Sequence, residues 1–184
     1  MDPFQIRLEC LSLVRRLSAS QQSIQKVVDF AMRHASSAAD DVWDCLVSEC
    51  ARAGLNAKLN ILFLLDALLL SIVDPVGHAA SCNAAQAQAS AAYLAMALRD
   101  LRKIVDAVVP HDRSDAVRLN AGSTQKVLES WRSLQLFDSE LLRGIEDELE
   151  ARKNSLATEA PHKLADFSRQ DIQRRMEEDR ERVS

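Results

Sequence analysis

The apolar stretch LNILFLLDALLLSIV, residues 59–73, constrains the fold more than any other part of the sequence. As a helix it would be apolar on almost every side, with Asp66 as its single charge. Helices of that kind are surrounded by other elements, which predicts a central helix packed inside a larger domain. The run 61–73 is shorter than the roughly 20 residues that cross a bilayer. We therefore expect a soluble intracellular chain with no membrane partner.

Asp66 is the unusual residue of this central helix. Burying a carboxylate without a partner is costly, so Asp66 should be hydrogen-bonded, protonated, or directed into a groove that solvent or a ligand enters. Asn60, Phe63 and Asp66 recur at spacings of three, with Ala67 beside them, and so lie close to one face. Two interpretations stay open, a structural acceptor for a neighbouring helix and the wall of a peptide-binding groove.

The composition favours helices joined by short turns. The 184 residues include only four glycines and four prolines, and aromatic residues make up 4%. Such a composition suits helices and disfavours an all-β design. Capping residues and apolar spacing predict seven helices before the tail, within the sequence segments 2–17, 18–34, 39–54, 56–73, 92–110, 111–137 and 138–151. The predicted caps are Ser18 or Ser20 for the second helix, Asn56 for the fourth, and Asp138 or Ser139 for the seventh, and Trp131 is one of the apolar residues of the sixth.

Two boundaries within this pattern are open. The Ala-rich segment 76–91 fits either a loop or an extension of the helix that contains Tyr93. Gly122 either lies inside the sixth helix at a cost of about 1 kcal/mol or marks its start. The pattern predicts a helical domain over 1–151, a linker over 152–166 around Pro161, and the start of a charged helical region over 167–184.

The sequence carries no pattern typical of an enzyme. It contains no glycine-rich phosphate loop, no nucleophile elbow and no metal-ligand spacing among its four histidines and four cysteines. We therefore expect no catalytic residue, no metal and no cofactor, and we interpret the cysteines as small core residues. The net charge of −4, with mixed signs along the chain, predicts no direct contact with nucleic acid.

The tail SRQDIQRRMEEDRERVS, residues 168–184, is densely charged and almost without apolar residues. Ile172 and Met176 are four apart and form a narrow apolar edge on a helix. A helix this polar buries too little area to hold its own place, which favours packing on another chain. A merely solvated terminal helix stays open as the alternative. The candidate partner-binding residues are Arg169, Ile172, Arg174, Met176 and Arg180.

Several segments resemble one known family. KLNILFLLDALL (58–69) resembles the central helix of domains that bind the carboxy-terminal repeat of RNA polymerase II, and LRKIVDAVVP (101–110) and KVLESW (126–131) resemble later helices of those domains. The segments 2–31 and WDCL (43–46) are similar to the amino-terminal domain of the gamma subunit of the fungal kinase that phosphorylates this repeat, called the CTD kinase after the carboxy-terminal domain (CTD). SRQDIQRRMEEDRER (168–182) resembles the start of that subunit's carboxy-terminal region.

The resemblance implies a fold and a role. The fold is all-α, a right-handed superhelical array of about seven to eight helices of the CTD-interacting-domain or VHS-like type, with a charged C-terminal helix. The role is that of a non-catalytic regulatory subunit in the nucleus. Its partners are a cyclin-dependent kinase catalytic subunit and a cyclin subunit, acting in transcription elongation. The alternative is a reader that binds the phosphorylated polymerase repeat directly.

The resemblance also implies a candidate peptide groove. In repeat-binding relatives the central helix presents a tyrosine and, three residues later, an aspartate that accepts a hydrogen bond from the peptide. Asp66 matches the aspartate, but the tyrosine position is Phe63 and the serine that commonly follows the aspartate is Ala67. Two hydroxyls are therefore missing, which disfavours direct phosphopeptide binding. The groove candidates are Asn60, Phe63, Asp66 and Lys126.

Overall fold

The computed structural model describes residues 2–73 and 84–157, with only the backbone of residues 84–90. This part of the chain forms six helices and no strand, which confirms the all-α prediction. Five of them have the bounds α1 Pro3–Arg15, α2 Gln21–Arg52, α3 Leu55–Val73, α4 Ala84–Val108 and α5 Ser114–Ser133. The sixth, α6, begins at residue 139 and continues to residue 157.

Helix starts follow the capping residues that the sequence predicts. The Ser20 hydroxyl accepts a hydrogen bond from the Ser23 amide at 3.3 Å and caps α2. Asp138 Oδ1 accepts from the amides of Glu140 and Leu141, at 2.9 and 3.0 Å, and caps α6. These side chains satisfy amides that have no partner inside the helix. The cap predicted at Asn56 is wrong, because α3 already begins at Leu55.

The two helices predicted over 18–34 and 39–54 are one element in the structure. The helix α2 continues from Gln21 to Arg52 and bends at Ala38, whose φ of −155° and ψ of 33° are not helical. Neither glycine nor proline occurs between these bounds, so nothing ends the helix after the bend. This merger is one reason why the described residues form six helices where about seven to eight were predicted.

The helix α3 occupies the centre of the domain, as its composition predicts. It contacts α2, α4 and α5, and its leucines and isoleucine at 61, 62, 64, 65, 68 and 69 are at most 2% exposed. At 19 residues it is, among the described helices, one that is long and apolar enough to cross a membrane by length and composition. The prediction against a membrane span counted only the apolar run 61–73, whereas the helix begins at Leu55 and is therefore longer than that run. Packing among neighbouring helices accounts for the same composition.

Three cysteines lie in the core, as predicted. Cys10, Cys45 and Cys50 are buried and unbridged. Burial raises the pKa of the Cys50 thiol to about 11, and it also raises the pKa of Cys10 and of Cys45. Within residues 2–73 and 84–157, no group of three or more His, Cys, Asp or Glu residues is placed to hold a metal. Cys82 lies outside the described residues.

Buried polar groups fix the helices against one another. Tyr93 donates its hydroxyl to the Ala31 carbonyl at 2.9 Å and joins α4 to α2. Asn120 is 1% exposed, and its Nδ2 donates to the Leu55 carbonyl at 3.2 Å and to the Val108 carbonyl at 3.0 Å. Because these carbonyls belong to the start of α3 and the end of α4, one side chain of α5 holds both helix ends.

The last described helix extends past the predicted domain boundary at residue 151. Arg152 contacts Asp106 of α4 and the carbonyl of Val109, the residue after α4. Lys153 Nζ donates to Gln125 Oε1 at 3.1 Å. These contacts belong to the first residues of the predicted linker 152–166, which are helical through residue 157. The rest of the linker and the charged region 167–184 lie outside the described residues.

Candidate functional site

A groove runs between α3 and α5 and has a volume of about 270 Å³. Phe63 and Asp66 line it from the central helix. The wall formed by α5 consists of Ser123, Lys126, Val127 and Ser130. The sequence of α5 explains this wall, because Leu119, Ser123, Lys126 and Ser130 recur at spacings of four, three and four. The buried side of the same helix includes Asn120, Thr124 and Leu128.

Asp66 is hydrogen-bonded to a tryptophan of the facing helix. Trp131 Nε1 donates to Asp66 Oδ1 at 2.7 Å. The Trp131 ring is 2% exposed and packs edge-on against Phe137, with the ring centroids 5.5 Å apart. The indole is therefore held by the core and directs its N–H at the carboxylate. This contact is the hydrogen-bonded alternative that the sequence left open for Asp66.

The electrostatics of Asp66 follow from its half-buried position. Burial raises the pKa of the Asp66 carboxyl above its usual value, and the hydrogen bond from Trp131 offsets only part of this rise. Since the carboxylate is the charged form, the site disfavours ionisation more than water does. A second hydrogen-bond donor or a cation at this carboxylate would lower the pKa again.

One cation lies on the rim of the groove. Lys126 is exposed and has no ion pair among residues 2–73 and 84–157. Within residues 2–73 and 84–157 no arginine lines the groove, so this part of the chain offers no bidentate recognition of a phosphate there. The groups that the described walls present to a ligand are the ammonium of Lys126, the hydroxyls of Ser123 and Ser130, and the apolar ring of Phe63.

The structure brings together three of the four predicted groove residues. Phe63, Asp66 and Lys126 share the groove, but Asn60 does not line it. Asn60 Nδ2 instead donates to the Leu17 carbonyl, at 3.5 Å, in the connection between α1 and α2. Asn60 thus lies on the side of α3 toward the connection between α1 and α2, because spacing along a helix defines a broad face and not the neighbour that each residue meets. The tail candidates Arg169, Ile172, Arg174, Met176 and Arg180 lie outside the described residues.

Sequence reasoning missed Ser123, Ser130 and the role of Trp131. The two serines stand three residues before and four residues after Lys126, so helical spacing from that candidate would have found them. Trp131 was predicted only as a core residue. Its contact with Asp66 joins residues 65 apart in the sequence, and no local pattern reveals it.

The helices and the groove beside the central helix match the fold of a solved non-canonical CTD-interacting domain, abbreviated CID. A solved structure of a CID of Ctk3 matches with a TM-score of 0.68 and 28% identity, and the match covers 84% of this chain and 99% of that chain.

Sequence comparison assigns the family. The family model for CTD kinase subunit gamma CTK3 matches residues 1–143. The CTD kinase subunit gamma of Schizosaccharomyces pombe is 30% identical over 183 residues, covering 99% of this chain and 77% of that protein. The chain therefore belongs to the family of CTD kinase gamma subunits, which confirms the resemblance found in the sequence.

Proposed function

We propose that this chain is a non-catalytic regulatory and assembly subunit of a kinase complex that phosphorylates the carboxy-terminal repeat of RNA polymerase II. Its partners in this proposal are a cyclin-dependent kinase catalytic subunit and a cyclin subunit, and the complex acts in the nucleus during transcription elongation. Support comes from membership in the gamma-subunit family and from the CID fold.

The observation that carries the proposal is the hydrogen bond between Trp131 and Asp66. One oxygen of this carboxylate already accepts the indole N–H at 2.7 Å. The position three residues earlier is Phe63, which has no hydroxyl to offer a peptide, and no arginine of the described part of the chain lines the groove. A groove with these walls is poorly equipped to bind a phosphorylated repeat, so the domain is better suited to contacts within a protein complex.

Reconstitution of the complex tests the proposal. The kinase and cyclin subunits would be purified with and without this chain, and phosphate transfer to a polymerase-repeat peptide would be measured. We expect the chain to co-purify with both subunits and to raise the rate of transfer. Asp66→Asn, which keeps an acceptor for Trp131, should preserve both results. A kinase–cyclin pair that is fully active alone and does not retain the chain would contradict the proposal.

The reader hypothesis remains the second candidate because Lys126 is exposed beside the groove and has no ion pair in the described part of the chain. An ammonium of this kind is available to a phosphate. Titration of the chain with a phosphorylated repeat peptide separates the two functions. Saturable micromolar binding that is lost in Lys126→Ala, but kept in the matched surface variant Lys26→Ala, would favour the reader.

The charged tail is our candidate for assembly with the partner subunits. The proposed contact residues are Arg169, Ile172, Arg174, Met176 and Arg180. Replacing Ile172 and Met176 together by serine removes the apolar edge and leaves the charges unchanged. We expect this variant to co-purify less with the kinase and cyclin subunits than the unchanged chain does. Equal recovery of the variant and the unchanged chain would contradict a role of the tail and would indicate that the helical domain carries the assembly surface.

A further inference from the structure

The connection between α1 and α2 carries two arginines directly ahead of an exposed serine, in the order Arg15-Arg16-Leu17-Ser18. Arg15 is the last residue of α1, and Ser18 lies outside any helix with its side chain exposed to solvent. Basophilic protein kinases select substrates by charge, because their acidic subsites pair with arginines two and three residues before the serine. We propose that Ser18 is a phosphorylation site for a kinase of this class.

Two other serines of the described chain provide an internal comparison. Ser36 follows Arg33 by three residues, and Ser155 follows Arg152 and Lys153 by three and two. Both serines are exposed, but both lie inside helices. A kinase cleft binds its substrate as an extended segment, so a helix must open locally before either serine reaches the catalytic site. Ser18 lies outside a helix, so its binding in extended form requires only the last turn of α1, which carries Arg15, and the contacts of Ser18 with Ser20 and Ser23 to open.

The basic residues also differ in availability. Arg152 is tied to Asp106 and to the Val109 carbonyl, which removes its guanidinium from the surface. Arg16 is exposed and has no ion pair within residues 2–73 and 84–157. Arg15 makes a bidentate ion pair with Glu49, at 3.0 and 3.2 Å, and this pair must exchange for a carboxylate of the kinase before Arg15 is recognised. Of the three serines, Ser18 is the one that lies outside a helix and follows two arginines.

The modifying enzyme belongs to a class other than the proline-directed kinases. The four prolines follow Asp2, Asp74, Val109 and Ala160, so no serine or threonine of the chain precedes a proline. Cyclin-dependent kinases require that proline as a class. Phosphorylation of Ser18 would therefore bring a signal from outside a cyclin-dependent kinase complex to this subunit.

The transfer itself is a simple exchange of bonds. The Ser18 Oγ attacks the γ-phosphorus of ATP, the bond from that phosphorus to the β–γ bridging oxygen breaks, and ADP leaves. The hydroxyl proton passes to the base of the kinase. The product carries about 1.5 to 2 negative charges at neutral pH on the modified side chain.

The position of Ser18 gives this charge a local effect. Its hydroxyl lies 3.0 Å from the hydroxyl of Ser20, the cap of α2, and its amide donates to Ser23 Oγ at 3.0 Å. The phosphate therefore forms beside the amino terminus of a long helix, where the partial positive charge favours an anion. The same connection contacts α3 through Asn60 and the Leu17 carbonyl, so the phosphate also lies near the central helix.

The test uses the purified full chain, ATP and the catalytic subunit of cyclic-AMP-dependent kinase as a basophilic probe, with intact mass and peptide mapping as the readout. We expect one phosphate, at Ser18, which is lost in Ser18→Ala. The initial rate should fall at least about tenfold in Arg16→Gln, because one subsite contact is lost. It should be unchanged in the control variants Ser36→Ala and Ser155→Ala. Faster incorporation at Ser36 or Ser155, or none at Ser18, overturns the proposal.

A thermal measurement tests the local effect. The phosphorylated chain should unfold about 1 to 4 °C higher than the unmodified chain at low ionic strength, and the difference should shrink as salt is added. Ser18→Ala treated with kinase and ATP is the control and should show no shift. A lower unfolding temperature after phosphorylation would contradict a favourable charge at the start of α2.

Discussion

Two tryptophan–aspartate pairs join helices of this domain, and they differ in whether a cationic side chain also contacts the carboxylate. Trp43 Nε1 of α2 donates to Asp100 Oδ2 of α4 at 2.9 Å. The second pair joins α5 to α3 through Trp131 and Asp66 at 2.7 Å. Both indoles are almost completely buried, at 0% and 2% exposure. The geometry of the two donors is therefore nearly the same.

The two carboxyls nevertheless shift their pKa values in opposite directions. Arg99 contacts Asp100 at 2.7 Å, and this guanidinium is the main reason why the pKa of Asp100 lies below its usual value despite burial. Among the described residues Asp66 has the indole of Trp131 as its hydrogen-bond donor and no cation, and burial raises its pKa. At Asp66 the indole N–H does not offset the cost of removing the carboxylate from water, whereas at the less deeply buried Asp100 the added guanidinium does.

The largest effect should come from replacing each tryptophan by phenylalanine. Trp131→Phe removes ring area and leaves Asp66 without its donor, so we expect a loss of about 2 to 3 kcal/mol in the free energy of unfolding. Trp43→Phe removes the same atoms but leaves Asp100 paired with Arg99, so its loss should be smaller. Urea unfolding followed by circular dichroism measures both. A larger loss for Trp43→Phe would reverse the comparison.

Substitutions at Asp66 separate its charge from its role as an acceptor. Asp66→Leu leaves the buried indole N–H of Trp131 without a partner, which should cost about 1 to 2 kcal/mol. Asp66→Asn keeps an oxygen acceptor and should cost less than about 1 kcal/mol. Thermal unfolding of the two variants beside the unchanged chain gives the measurement. Equal stability of both variants would show that the acceptor does not matter.

The pH dependence of stability should have opposite signs at the two sites. The folded pKa of Asp66 is raised, so its contribution is most favourable below about pH 3.9, the unfolded value, and declines as the pH rises through the folded pKa. The folded pKa of Asp100 is lowered, so its contribution is present above about pH 3.9 and is lost as the pH falls through the folded pKa.

The difference in unfolding free energy between the unchanged chain and each asparagine variant measures these contributions. For Asp66→Asn the advantage of the unchanged chain should shrink as the pH rises from about 3.9. For Asp100→Asn it should shrink as the pH falls below about 3.9. If the difference in unfolding free energy depended on pH in the same direction for both variants, Arg99 would not account for the opposite pKa shifts of Asp66 and Asp100.

The smallest effect on stability should come from removing that guanidinium. Arg99→Gln leaves Trp43 as the donor to Asp100, which makes this site resemble the site at Asp66. We expect the pKa of Asp100 to rise while the fold is retained, because the main cause of the lowered value is gone. Carboxyl resonances followed by NMR during an acid titration report this change. A pKa of Asp100 that does not move would assign the lowering to another group.

Local patterns predicted the parts of the structure that local physics determines. The apolar stretch 59–73 predicted the central helix, and Ser20 and Asp138 predicted the starts of α2 and α6. The sequence predicted two helices on either side of the bend at Ala38, because the acids at 40, 41 and 44 resemble the first turn of a new helix. Nothing in that segment prevents the helix from resuming, so the structure has one element.

The candidate site was predictable only in part, because its contacts join distant segments. The sequence identified Asp66 as a residue that needs a partner, but the choice of Trp131 depends on how α5 packs against α3. Asn60 shares a nominal face with Phe63, but it meets the connection after α1. Helical spacing predicts which residues share a side. It does not predict which neighbour lies opposite each of them.

The central claim is that Asp66 is a structural acceptor of Trp131 and that the groove is not built to bind a phosphorylated repeat. The most direct test follows the indole N–H of Trp131 by nitrogen-edited NMR while a phosphorylated polymerase-repeat peptide is added to the labelled chain, with Trp43 as the internal control. Our account predicts that both indole resonances stay in place through the micromolar range. A saturable shift of the Trp131 resonance alone, lost in Lys126→Ala, would contradict it.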